Sequence, residues 1–94
     1  LEIRWLRRAA ADLEQVEAYV AQDDPRAAVR TVLRIVDTAE RLAQFPDLGR
    51  PGRLEGIQEL IVLGGTYILP YRVRTNRGEI LRVFHHARRW PESL

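Results

Sequence analysis

The chain contains no cysteine, and every one of its fifteen basic residues is arginine. The first absence excludes a disulfide framework, a thiolate metal site and a thiol nucleophile, and it fits a reducing compartment. Two histidines make a poor metal site on their own, so neither a metal nor any other cofactor is expected. No apolar run approaches the roughly 20 residues of a membrane-spanning helix, and Leu1–Trp5 lacks the charged, apolar, small-residue order of a secretory leader. These absences lead us to expect a soluble chain in the cytoplasm with no membrane partner. Because Leu1 stands where an initiator methionine would, a few residues are expected to precede this numbering.

Ninety-four residues suffice for one small domain, spanning 1–94, with a single core. The absence of lysine is in part what codon bias in a GC-rich genome would produce. Arginine nevertheless stays charged everywhere and grips carboxylates and phosphates with a planar fork, so its placement carries physical content. Residues 1–47 hold seven arginines against nine acids, whereas residues 48–94 hold eight against four. The positive field belongs to the second half.

Leu1–Trp5 alternates and reads as a short strand. From Leu6 the period changes: Leu6, Ala9, Ala10, Leu13, Val16 and Val20 recur at helical spacing, with Arg7, Arg8, Asp12, Glu14 and Glu17 on the other side. Asp24-Pro25 then supplies an N-cap followed by proline at the first helical position. The second helix turns Ala28, Val32, Ile35, Val36, Ala39, Leu42 and Ala43 inward and ends before Pro46. A connection as short as Ala21–Asp24 predicts an antiparallel helical hairpin. Arg26, Arg30 and Arg34, four apart, read as a solvated helix face, since Asp37 and Glu40 continue that surface with opposite charge.

Pro46–Arg53 is dense in proline and glycine and reads as a loop that holds Arg50 and Arg53 on constrained backbone. Ile57–Leu63, Gly64-Gly65 and Thr66–Arg74 read as a hairpin with a two-residue glycine turn, and Asn76-Arg77-Gly78 as a three-residue loop into the last strand. Pro70 cannot donate to a ladder, so a gap in the pairing is expected beside it. The three-residue loop sets Arg72 opposite Arg82 and Arg74 opposite Ile80. One face then collects Arg72, Arg74, Arg82, Phe84, His86 and Arg88, and the other Leu69, Tyr71, Val73, Leu81, Val83, His85 and Ala87. Carried across the glycines, the register puts Glu59 beside Pro70, one step from Arg72. Glu59 as base, Arg72 for a crowded phosphate and His86 as acid would form a workable set for metal-free cleavage of a ribose-phosphate backbone. The plainer reading makes Glu59 and Arg72 a structural ion pair and His85 a hydrogen-bonded core residue. No phosphate-cradling glycine loop, zinc signature or nucleophile elbow is present.

Read in order, the strand, the helical hairpin, Phe45-Pro-Asp-Leu-Gly-Arg-Pro-Gly-Arg53, Glu59-Leu-Ile-Val62, Tyr71-Arg-Val73 and Ile80-Leu-Arg-Val-Phe-His-His-Ala-Arg-Arg-Trp90 resemble the RelE/ParE superfamily of toxins from bacterial type II toxin–antitoxin modules. The resemblance covers nearly the whole chain. It implies an α+β fold with an N-terminal strand and an antiparallel two-helix hairpin packed on a small antiparallel sheet. It also implies a cognate antitoxin that neutralises the toxin in a hetero-oligomer, and a role in growth arrest and plasmid stabilisation. Members of the RelE branch are ribosome-dependent mRNA endoribonucleases. Arg72 and Arg88 match places where those members carry catalytic arginines, with His86 nearby and Glu59 as a weaker candidate base. Against that branch, the lysine-rich loop of some ribonuclease members is represented only by Arg50 and Arg53, and no tyrosine follows Trp90. Members of the ParE branch poison DNA gyrase without being enzymes. The long helical hairpin and the Arg82–Trp90 ending are closer to that branch, which we favour, with Arg50, Arg53, Arg74, Arg82, Phe84, Arg89 and Trp90 as partner-binding residues. The alternatives are an mRNA interferase acting on the ribosome and mRNA, or a non-toxic member that only binds its antitoxin.

Overall fold

The computed structural model describes residues 1–94. Glu2–Trp5 forms β1, which turns Ile3 and Trp5 toward the core while Glu2 and Arg4 stay exposed. Helix α1 spans Arg7–Ala21 and helix α2 Pro25–Glu40, and the two lie along one another. The start of α2 follows from Asp24, whose carboxylate accepts the N–H groups of Arg26 and Ala27, both at 3.1 Å. Two donors that the helix leaves unpaired are thereby satisfied, and Pro25 sits where no donor is needed. One 3-10 turn, Arg41–Ala43, prolongs the helix before Pro46. Neither helix is long and apolar enough to cross a membrane.

The remaining strands are β2 (Arg50–Pro51), β3 (Gln58–Val62), β4 (Tyr67–Arg74), β5 (Arg77–Ile80) and β6 (Phe84–His85). They form one sheet in the order β1-β5-β4-β3-β2, with β6 paired to the first half of β4. The sheet is mixed where an antiparallel one was expected, because β1 runs parallel to β5. Ala9, Ile35, Ala39 and Leu42 of the helical layer meet Leu60, Val62, Tyr67, Leu69, Tyr71, Ile80 and Val83 of the sheet in a single buried cluster.

Two turns differ from expectation. Between β4 and β5 the connection is the two-residue turn Thr75-Asn76, with φ of 48° and 58°, in place of a three-residue loop. A turn with two left-handed residues matches the twist of the flanking strands, and asparagine tolerates that backbone. The register therefore slips by three residues: Arg72 faces Glu79 and Arg74 faces Arg77, and Arg72 does not meet Arg82. Gly78, released from the turn, lies in the ladder, where a Cβ would stand 3.0 Å from Ile3 Cδ1 of β1. Between β3 and β4 the chain makes a 3-10 turn over Leu63–Gly65 with positive φ at Leu63, Gly64 and Gly65. This is longer than a two-residue turn, yet Glu59 still pairs with Pro70 as anticipated.

Pro70 sits at the break between β5 and β6. The Leu81 N–H donates to the Pro70 carbonyl at 2.9 Å, and Leu81–Val83 belongs to no strand, which is the gap in the pairing expected beside Pro70. That break changes which residues face the helices. Ile80 enters the core beside Val83, which was expected there, and Leu81 turns into a cleft beside Arg72. His85 and Val73, expected inside, are exposed, and Phe84, expected on the open basic face as a partner-binding residue, is fully buried.

Candidate functional site

The Pro46–Arg53 segment is held from beneath by Tyr71. Its hydroxyl donates to the Pro46 carbonyl at 2.8 Å and accepts the Gly49 N–H at 3.0 Å. Burial raises the Tyr71 phenol above its ordinary value, with the Gly49 N–H opposing and the Asp47 carboxylate adding to the rise. Gly49 is required by this closeness, since a Cβ there would lie 2.5 Å from Tyr71 Cε1 and 2.9 Å from the Glu59 carbonyl oxygen. The next two residues, Arg50 and Pro51, form β2 against β3, so the loop is pinned at both ends.

Glu59 anchors the same loop. Its side chain is 4% exposed; Oε1 faces an Arg50 guanidinium nitrogen at 3.4 Å, and Oε2 takes the Arg53 backbone N–H at 2.9 Å and Arg53 Nε at 3.4 Å. With both oxygens engaged by two arginines, the carboxylate is turned to the loop and holds Arg50 and Arg53 half-exposed on rigid backbone. From there the contacts run into the C-terminal segment. The Arg53 guanidinium lies 3.7 Å above the Trp90 ring, and Trp90 meets Phe84 at 4.9 Å between centroids. Phe84 is also flanked by the Arg82 and Arg88 guanidinium groups, at 4.8 and 5.1 Å. Cation–π contacts of this kind contribute about 0.5–1 kcal/mol each at exposed sites. Arg89 is exposed beside Trp90.

Arg72 pairs with Glu79, Nε to Oε1 at 2.6 Å. That bond, together with the charges of Arg72, Arg74 and Arg77, holds the Glu79 carboxyl below its ordinary value, against a smaller opposing effect of burial. Arg82 turns away from the sheet face. It makes a two-pronged contact with Asp12 of α1, Nε to Oδ2 at 2.7 Å and a terminal nitrogen to Oδ1 at 3.1 Å, and the Val83 N–H adds a third bond to Oδ2 at 3.0 Å. The expectation that Arg82 joins a basic face with Arg72 is thus corrected: the three-residue slip and the break before β6 deliver it to the helix. Asp12, assigned to the polar side of α1, was missed. Its signal was its spacing, three after Ala9 and four before Val16 on the inward stripe.

The two histidines stack at 4.7 Å between ring centroids. His85 Nδ1 accepts the Ala87 N–H at 3.1 Å, and its ring stands edge-on to Tyr67, whose phenol is raised mainly by burial. The His86 N–H donates to the Thr66 carbonyl at 2.9 Å. Thr66 precedes Arg72 by six residues along β4, a separation of about 20 Å at roughly 3.3 Å per residue. Glu59, Arg72 and His86 therefore do not converge. Arg88 stays with the His85 end, where its N–H donates to the His85 carbonyl at 2.9 Å. Arg74 is exposed next to the β4–β5 turn.

Comparisons with known proteins agree with one another. A family profile described as "ParE toxin of type II toxin-antitoxin system, parDE" matches residues 3–90. Y4kP of Sinorhizobium fredii, named as a toxin candidate, is 44% identical over 92 residues, which is 98% of this chain and 95% of that one. Toxin RelE2 of Caulobacter vibrioides is 36% identical over 87 residues, covering 93% of this chain and 97% of its own. A solved structure described as "Chromosomal ParDE TA system from P. aeruginosa" superposes with a TM-score of 0.81 at 31% identity, over 90% of this chain and 95% of that chain.

Proposed function

The chain belongs to the ParE toxin family of type II toxin–antitoxin systems, within the RelE/ParE superfamily, and from that premise we propose that it arrests growth by binding DNA gyrase without itself being an enzyme. The observation that supports this target is the dispersal of the groups an RNA-cutting site would need. Glu59 is held by Arg50 and Arg53, Arg72 is matched by Glu79, and His86 is anchored at the far end of β4. General acid–base cleavage needs such groups within hydrogen-bond reach of one reacting phosphate. Arg50, Arg53, Arg89 and Trp90 have the chemistry of an interface instead, arginines beside a large aromatic on a constrained loop.

The family's partner is an antitoxin. A disordered acidic and apolar antitoxin segment that folds onto this arginine-bearing surface would neutralise the toxin in a hetero-oligomer, with charge-assisted contacts offsetting the entropy of ordering. Both partners act in the cytoplasm, where gyrase and DNA are.

The test adds the purified chain to gyrase on supercoiled DNA and, in parallel, to translating ribosomes with mapping of mRNA 5′ ends. Accumulating cleaved gyrase–DNA complexes with intact message is the expected result, with loss of the effect in Trp90→Ala. Cuts in the ribosomal A-site codon that vanish in His86→Ala or Arg72→Ala would overturn it in favour of a ribonuclease. Harmless overexpression of the lone chain would leave only antitoxin binding.

A further inference from the structure

The outward face of β1, β5 and the second half of β4 carries charged side chains at six positions. Register aligns its side chains in two rows, Glu2–Arg77–Arg74 and Arg4–Glu79–Arg72. Four arginines against two acids give this face a net charge of +2, as much as the entire chain carries. Within the rows Arg4 pairs with Glu2 and Arg72 with Glu79. Arg74 and Arg77 stand directly opposite one another, both exposed, and neither takes part in any ion pair of the chain. Like charges facing each other across strands destabilise a hairpin unless an anion lies between them. Arg7 and Arg8 line a cleft with Arg72, but Leu6, Leu81, Glu55 and Glu92 line it too, so the part of the face that offers charge without apolar surface is the hairpin end at Arg74 and Arg77.

We propose that this face, centred on Arg74 and Arg77 at the tip of the β4–β5 hairpin, binds the phosphate backbone of duplex DNA without reading its sequence. The absence of any apolar side chain from the six positions favours DNA over an acidic protein. A protein partner draws its affinity from buried aromatic or aliphatic anchors, whereas a phosphate backbone needs fixed positive charges and hydrogen-bond donors. Arginines on paired strands are held in place at regular spacing, and Thr75 and Asn76 at the tip add neutral donors. The contact is independent of the gyrase reading and is measured with neither gyrase nor ribosomes present.

The experiment is fluorescence anisotropy of a short labelled duplex titrated with the full chain, from about 50 to 200 mM salt. Wild type is expected to bind in the range of non-specific complexes, with a Kd of about 10⁻⁴–10⁻⁶ M at physiological salt. Arg74→Gln with Arg77→Gln should weaken binding and reduce the salt slope by about 1–2. Arg26→Gln with Arg34→Gln removes the same charge from α2 and should leave affinity and slope near wild type. Thermal melts of both double variants establish that each is folded. Unchanged binding in the hairpin variant, or equal loss in the helix variant, overturns the proposal. Tighter binding to single-stranded RNA or to polyglutamate than to the duplex overturns it as well, and assigns the face to that class of partner.

Discussion

Asp12→Ala is expected to be among the most damaging single substitutions in this chain, although α1 presents Asp12 in sequence as one polar residue among many. Removing the carboxylate deprives the Arg82 guanidinium of two bonds and the Val83 N–H of its acceptor. The two side chains are 9% and 12% exposed, so water does not replace what is lost. Breaking a buried pair by deleting one partner costs about 3–5 kcal/mol, most of it from the charge left behind. A chain of 94 residues has a total stability of roughly 5–14 kcal/mol at about 0.05–0.15 kcal/mol per residue. The substitution should therefore remove about a fifth or more of the stability and lower Tm by at least roughly 12 °C, at about 4 °C or more per kcal/mol. Urea unfolding followed by circular dichroism measures it. Asp12→Asn, which keeps one acceptor oxygen, should fall between wild type and alanine. Asp12→Leu combined with Arg82→Met should recover most of the loss, because apolar residues of similar volume can replace a buried pair at little cost. A loss below about 1 kcal/mol in Asp12→Ala would refute this reasoning and class the contact with exposed ion pairs.

Tyr71→Phe removes the hydroxyl between Pro46 and Gly49 and should cost about 1–3 kcal/mol, at roughly 0.5–1.5 kcal/mol per hydrogen bond; faster proteolysis within Pro46–Arg53 than in wild type would locate the damage in that loop. Because the folded Glu79 carboxyl is held below its ordinary value of 4.5, its contribution is full above that value and disappears as pH falls through the lower folded value. Stability measured across the acid range should therefore fall more steeply in wild type than in Glu79→Gln, and parallel curves would contradict the assignment. Gly49→Ala forces a methyl group into Tyr71 and the Glu59 backbone, so it should lower Tm, and an unchanged melt would mean that the loop can shift at no cost.

The helices, the Asp24 cap and the Glu59–Pro70 pairing were legible in the amino-acid order, and so was the turn from Pro46 to Gly49, although not the pairing of Arg50–Pro51 with β3 that follows it. Each rests on signals between near neighbours: a 3.6-residue apolar period, a capping carboxylate ahead of proline, glycine where the backbone turns. The family resemblance was legible too, because the loop and the last strand carry it in contiguous residues. The partners of the arginines were not. Thr75-Asn76 competes with Asn76-Arg77-Gly78 as a turn, and the choice between them shifts the pairing by three residues and decides whether Arg72 meets Glu79 or Arg82. The Arg82–Asp12 contact joins residues 70 apart in sequence, the Tyr71 hydroxyl reaches back 25 residues to Pro46, and β1 enters the sheet parallel to a strand more than seventy residues later. Local preference determines which segments become helix, strand or turn. Only the packed sheet decides which charges end up facing one another, because a strand's side chains change both face and partner with a single step of register.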